Sequence, residues 1–249
     1  LWCSEAPTGG VRSVAGGGTV DGLDGVHHLA ISTKDMRGQL EFFTDVLGGE
    51  LKALYWMHGV ADTVHGFVKL NDACYVAFVQ GPSNASIEPV MGVSHAGSAS
   101  GVSAPGTMQH VAFNVKDLDE LLAIRDRIRD RGYNVFGPLD HGLCHSIYFA
   151  GPENLALEVA TSEEPIDERK WIDPEVVRLM GIDDALLDRL KQPEQFASRA
   201  GAVQNPPVDW SRPQLDMPRA MLEKLMAMPD AEVTARLSEN VPPVVVVER

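Results

Sequence analysis

Two imidazoles occupy matching places in two repeats along this chain, and one carboxylate lies near the end of the second of them. In the stretch Val26 to Ser32, strand-like alternation puts His28, Ala30 and Ser32 on one face and His27, Leu29 and Ile31 on the other. The pattern returns 82 positions later, where His110, Ala112 and Asn114 share a face, and Glu158 shares one with Ala156 and Ala160. Large apolar residues fall on the opposite faces and are available to pack helices, while the small ones leave room beside the polar groups. Two histidines and one carboxylate on three strands are the ingredients of a facial triad. Such a set suits Fe(II) or Mn(II) and leaves coordination positions open for a substrate and O2. Taken singly, each residue also reads as a hydrogen-bonded core histidine or a surface glutamate. Their recurrence at matching positions of two repeats favours a shared site.

The elements that must position these residues are themselves repeated. Lys34-Asp35 and Lys116-Asp117 each precede a helical stripe: Met36, Leu40, Phe43, Val46 and Leu47 before Gly48, and Leu118, Leu121, Leu122, Ile124 and Ile128 before Gly132. Strands are predicted near Glu50 to Met57, His65 to Leu70 and Cys74 to Gln80, then at Tyr133 to Phe136, His145 to Phe149 and Leu155 to Thr161. The organisation is therefore a mobile Gly-rich arm (1–23), a βαβββ module (24–81), a linker (82–107), a second βαβββ module (108–161) and a helical extension (162–249) expected to pack on the body. In that extension helices are predicted from Asp173 to about Leu190, from Met217 to Met228 and from Asp230 to Leu237, with Val244 to Val247 as a possible edge strand.

Composition narrows the function. A net charge of -14 argues against nucleic acid, whose phosphates need a basic footprint. No window approaches the apolar length of a membrane span. Three widely spaced cysteines, Cys3, Cys74 and Cys144, form no disulfide framework and no zinc-type pair. A cytoplasmic protein is expected.

Both copies, over residues 24 to 161, resemble the vicinal oxygen chelate superfamily, which includes glyoxalases, bleomycin resistance proteins and extradiol dioxygenases. The stretches that carry the resemblance are His27-His28-Leu29-Ala30-Ile31 with Lys34-Asp35, Gln109-His110-Val111-Ala112-Phe113 with Lys116-Asp117, and Ser146-Ile147-Tyr148-Phe149 followed by Pro152 and Glu158. The resemblance implies an α+β fold in which two βαβββ modules form a curved, half-open mixed sheet around a divalent metal. Aligning Phe67 to Val79 with Tyr148 to Ala160 puts Ala77 where Glu158 stands, so the fourth ligand common in glyoxalase-like isomerases is missing. That departure favours a three-ligand, oxygen-activating site.

A closer resemblance, to enzymes that open hydroquinone or catechol rings, rests on the His27-His28 pair, Tyr148 ten residues before Glu158, and Ile166-Asp167-Glu168. It implies His28, His110 and Glu158 as metal ligands, with His27 and Tyr148 beside them. His141, in Asp140-His141-Gly142, falls where hydroquinone enzymes tend to have arginine and where some catechol-cleaving relatives have histidine. It is preferred over His145 as the acid. The catechol enzymes place another acid histidine late in the preceding module, where this chain offers Cys74. His58, His65 and His95 read as ordinary polar residues. The implied activity is Fe(II)-dependent ring cleavage, with Mn(II) or another divalent metal as the alternative and O2 as co-substrate. A small aromatic substrate and a homodimer or higher homo-oligomer are expected. The competing readings are a metal-dependent isomerase, lyase or epimerase, and a non-catalytic protein that binds an aromatic ligand such as an antibiotic.

Overall fold

Asp35 and Asp117 open the helices of the two repeats by the same device. In a computed structural model, which describes residues 19–20, 22–197 and 202–246, each carboxylate accepts a hydrogen bond from the backbone amide three residues on, at Gly38 and Glu120. Each bond satisfies an amide that has no acceptor within its own helix.

The short strand Thr19–Val20 (β1) comes first. The first module then runs His28–Ser32 (β2), Met36–Glu41 (α1) continued by a π turn at Phe42–Val46, Glu50–Trp56 (β3), Val64–Asn71 (β4) and Cys74–Gln80 (β5). A short helix, Pro82–Ala85 (α2), opens the connector. The second module runs Val111–Asn114 (β6), Leu118–Asp130 (α3), Phe136–Asp140 (β7), His145–Ala150 (β8) and Ala156–Thr161 (β9). The sheets have orders β2-β5-β4-β3 and β6-β9-β8-β7. In each, the first strand lies parallel to the last and the other pairings are antiparallel. Two open sheets with helices are the expected α+β pair of βαβββ modules.

One strand is displaced from its predicted place. A strand was expected over Tyr133 to Phe136, but it covers Phe136–Asp140. The reason lies at the end of α3, where the Gly132 amide donates to the Arg129 carbonyl and the Tyr133 amide to that of Ile128, with Gly132 at φ +84°. This Schellman-type closure holds Tyr133 in the helix terminus.

The remaining helices are Glu168–Trp171 (α4), Pro174–Leu179 (α5), Asp184–Lys191 (α6), Arg219–Met226 (α7) and Asp230–Leu237 (α8). The single helix predicted from Asp173 to Leu190 is two helices, because Gly181 turns the chain at φ +68°. Residues 25–182 form one compact unit, so α4 and α5 belong with the modules. The described residues from 183 onward form another with those up to Asp24, in which β1 pairs antiparallel with Phe196–Ala197 (β10). Most of the expected arm, residues 1–18 and 21, lies outside the described residues. Val244 to Val246 adopt no strand, and Val247 also lies outside.

The modules share one core. The buried Phe43 ring lies 5.0 Å from Phe78 in its own module and 6.0 Å from Phe113 in the other, and Phe42 lies 6.4 Å from Phe149. Leu121, Ile128 and Ile147 complete it from the second module with no exposed surface. The side chains of α1 pack closely over Gly66 of the sheet, where a Cβ would sit 2.9 Å from Met36 Sδ.

Two polar joints cross the same boundary. The Arg127 guanidinium donates to the carbonyls of Val46 at 2.9 Å and Asp45 at 2.7 Å, capping the π turn from the opposite module. The Glu153 carboxylate accepts from Thr33 Oγ1 (2.5 Å), the Lys34 amide (2.8 Å) and Gln39 Nε2 (2.7 Å). Burial raises the Glu153 pKa, and the three donors outweigh that effect and hold it below the ordinary carboxylate value.

Phe43→Ala is expected to cost about 3–5 kcal/mol in urea unfolding, the usual range for an emptied core aromatic site. Glu153→Gln should cost about 2 kcal/mol near neutral pH, because one oxygen that accepts becomes an amide that cannot. A carboxyl whose pKa is lower folded than unfolded stabilises above its unfolded pKa and loses that contribution as pH falls through the folded value. The gap between wild type and Glu153→Gln should therefore narrow in urea titrations carried from about pH 7 to about pH 3.5.

Candidate functional site

Register in the second sheet lines up the residues that could do chemistry. Ala112 pairs with Glu158, Glu158 with Tyr148, and Tyr148 with Phe136, so these side chains share one face. His110 stands immediately before β6 on the same alternation. The opposite face, with Ile147, Val159 and Leu157, is buried in the core. Alanines at 112, 150, 156 and 160 keep the polar face hollow. A cavity of about 510 Å³ opens there, lined by His110, His141, Tyr148, Phe136, Leu139 and connector residues 97–100.

His110 and Glu158 meet directly, with Nε2 2.9 Å from Oε2, and the carboxylate residue is only 5% exposed. The other imidazole nitrogen, Nδ1, donates to the side-chain oxygen of Gln109. When the imidazole is neutral, a proton on Nδ1 leaves the Nε2 lone pair facing the Glu158 side chain. Two acceptors at that separation attract only when a proton or a metal cation comes between them. The donor set therefore fits a divalent cation: an imidazole oriented through its far nitrogen and a buried carboxylate that, among the described residues, meets His110 and no Lys or Arg.

Tyr148 Oη and His141 Nε2 lie 2.9 Å apart on the same side of the cavity. His141 is aimed by its turn, in which the Gly142 amide donates to Asp140 Oδ1 and the His141 amide to the Cys144 carbonyl. Burial raises the Tyr148 phenol above its ordinary pKa, partly offset by a hydrogen bond with Ser146, and the Glu158 charge adds to the rise. Tyr148 thus stays a protonated hydroxyl across the neutral range. His145 pairs with Thr161 in a register that turns it to the other face, and its partner is Asp140 at 3.8 Å.

In the first sheet the same geometry carries different side chains. Ala77 pairs with Phe67 as Glu158 pairs with Tyr148, which fixes Ala77 as the counterpart of Glu158 and leaves that position without a ligand. His28 is exposed, its Nδ1 3.0 Å from Nδ1 of His27 and its ring 5.5 Å from Phe67. His65, read from the sequence as an ordinary polar residue, belongs to this face. Its ring lies 4.5 Å from Phe67, its Nδ1 is 3.5 Å from Tyr55 Oη, and its Nε2 is buried without a partner. Burial, followed by the nearby His28, lowers its pKa. Alternation in β4, where His65 keeps phase with Phe67, was the available signal.

The structure brings together His110 with Glu158, His141 with Tyr148, and His27 with His28. It does not close the expected set of three ligands. Among the described residues no group of three His, Cys, Asp or Glu side chains is placed to hold a metal ion. Each prospective donor instead has a local partner, Glu158 for His110 and His27 for His28. Gln109 was missed by the sequence reading, since an amide beside a histidine gives no signal until its partners are known.

Comparison with known proteins adds the family. The profile of the glyoxalase/bleomycin resistance protein/dioxygenase superfamily matches residues 25–159, more than half of the chain. No curated protein matches. Among solved structures, the chain is similar to a glyoxylase/bleomycin resistance protein/dioxygenase domain from Frankia sp. EAN1pec (14% identity, TM-score 0.46, covering 57% of this chain and 100% of that one). It is also similar to TnmS3, an antibiotic binding protein from Streptomyces sp. CB03234 (15% identity, TM-score 0.41, covering 57% and 98%). A third is the fosfomycin resistance protein FosX from Listeria monocytogenes, complexed with Mn(II) (16% identity, TM-score 0.40, covering 59% and 98%). No helix among the described residues is long and apolar enough to cross a membrane. With two βαβββ modules in place and the profile running through both, the chain belongs to the glyoxalase/bleomycin resistance protein/dioxygenase superfamily, the vicinal oxygen chelate proteins.

Proposed function

We propose that the protein is a non-haem Fe(II)-dependent dioxygenase that opens an aromatic ring of the hydroquinone or catechol type. One ring carbon–carbon bond breaks and both atoms of O2 enter the product. The supporting observation is that His110, which meets the buried Glu158 carboxylate, and the His141–Tyr148 pair line one largely apolar cavity. Its volume, about 510 Å³, lies within the span of about 300–1,000 Å³ usual for small-molecule sites.

His28, His110 and Glu158 would hold the metal, which when bound supplies Lewis acidity that lowers the pKa of a phenol and favours its reaction with O2. The His27 bond occupies Nδ1 of His28 and leaves its Nε2 for ligation. In the free site the Tyr148 hydroxyl can donate to His141 Nε2. A bound phenol competes for that nitrogen, so His141 can take the substrate proton while Tyr148 turns its hydroxyl to the substrate oxygen. Phe136 and Leu139 present apolar surface to the ring and exclude water.

The test is oxygen uptake by anaerobically purified, Fe(II)-loaded protein offered substituted hydroquinones and catechols. Uptake that depends on substrate, with a ring-opened chromophore, supports the reading. Turnover without oxygen, or with redox-inert metals, would replace it with the isomerase class. Saturable binding of an aromatic ligand with no oxygen consumed would replace it with sequestration. His110→Ala should abolish metal loading and uptake together, and retained uptake would remove the proposed ligand set. Tyr148→Phe should lower kcat by about 10²–10³ with a smaller change in KM, as for other lost hydrogen-bond donors to a reacting oxygen. A homo-oligomer is part of the same proposal, to be checked by light scattering.

A further inference from the structure

Gln109 lies outside the expected site, yet its side chain reaches two parts of it. The amide nitrogen is 3.1 Å from the Ser98 carbonyl, 2.9 Å from that of Ala99 and 3.1 Å from that of Gly101. Carbonyl oxygens only accept, so the NH2 group must face the connector and the oxygen must face His110 Nδ1. The three carbonyls compete for two N–H groups, so at least one proton is shared.

The connector at this point is a tight turn. The Gly101 amide donates to the Ser98 carbonyl at 3.0 Å, and a Cβ on Gly101 would fall 1.9 Å from the Ala96 carbonyl oxygen. Residues 97–100 of the same turn wall the cavity that His110, His141 and Tyr148 line. One side chain thus ends at the substrate wall on its nitrogen side and at a prospective metal ligand on its oxygen side.

We propose that Gln109 is a positioning residue that couples the cover segment at residues 97–101 to His110: its amide nitrogen holds the wall against the bound ring, and its oxygen selects the His110 tautomer that presents Nε2 to the metal. The ligand chemistry rests on the dioxygenase reading, while the tautomer assignment does not. A merely structural Gln109 would move stability and leave both ends of this coupling alone.

Three substitutions separate the ends. Gln109→Leu removes both functions. Gln109→Glu keeps an acceptor for His110 Nδ1 but loses the donors to the carbonyls. Gln109→Asn, one methylene shorter, reaches only one partner and serves if the leucine variant does not fold. The readouts are the ¹⁵N shifts of His110 in metal-free protein, Mn(II) affinity by electron paramagnetic resonance, and the affinity of Mn(II)-loaded protein for 4-nitrocatechol. Gln109→Leu should lose the proton that Gln109 holds on Nδ1 and weaken Mn(II) binding by about 10–100-fold, the usual effect of removing a partner behind a ligand. Gln109→Glu should keep the tautomer and near wild-type Mn(II) affinity while losing 4-nitrocatechol affinity. Gln109→Asn should lose one readout and keep the other. An unchanged tautomer or unchanged Mn(II) affinity in Gln109→Leu overturns the proposal, as does parallel loss of Mn(II) and 4-nitrocatechol binding in Gln109→Glu, or retention of every readout in Gln109→Asn. Failure of the wild type to bind Mn(II) would count against the dioxygenase reading, and the tautomer readout would still decide the role of Gln109.

Discussion

The Glu153 carboxylate is the joint on which the architecture turns. It projects from the turn before β9, the strand that supplies Glu158, and accepts two donors, Thr33 and Lys34, from the segment after β2, the strand that supplies His28, and a third, Gln39, from α1. A part-buried carboxylate is costly unless its oxygens are satisfied, and here both are, by groups of the opposite module. Arg127 adds a second polar link and the Phe42–Phe43 rings an apolar one. Together they fix the angle between two faces that bear the prospective ligands.

Within the second module the site centres on one buried carboxylate. An imidazole oriented by Gln109 faces a carboxylate across 2.9 Å, an arrangement that calls for positive charge between them. Nearby a hydrogen bond joins the Tyr148 phenol to His141, so a proton donor and a proton acceptor stand together at the wall of one cavity.

The modules are alike in backbone and unlike in chemistry. At the paired positions where the second carries Tyr148 and Glu158, the first carries Phe67 and Ala77. Its face is instead an aromatic and imidazole surface of His28, Tyr55, His65 and Phe67 in mutual ring contact. Duplication supplied the frame twice, and the charged donor is concentrated on one side.

By itself the sequence determined the two modules, the faces of their strands and the pairing of Ala77 with the Glu158 position, because alternation and helix capping are local properties that residues such as Asp35 and Asp117 declare through their neighbours. The same locality explains why Tyr148, Glu158 and Ala112 were legible as one surface. Tertiary structure alone decided the rest. The place of β7 depended on how α3 closes around Gly132, the break at Gly181 on a left-handed backbone, and the aromatic company of His65 on strands brought side by side. Gln109 shows the limit most clearly: its role exists only where three carbonyls and an imidazole nitrogen converge on one amide, and no spacing along the chain encodes that convergence.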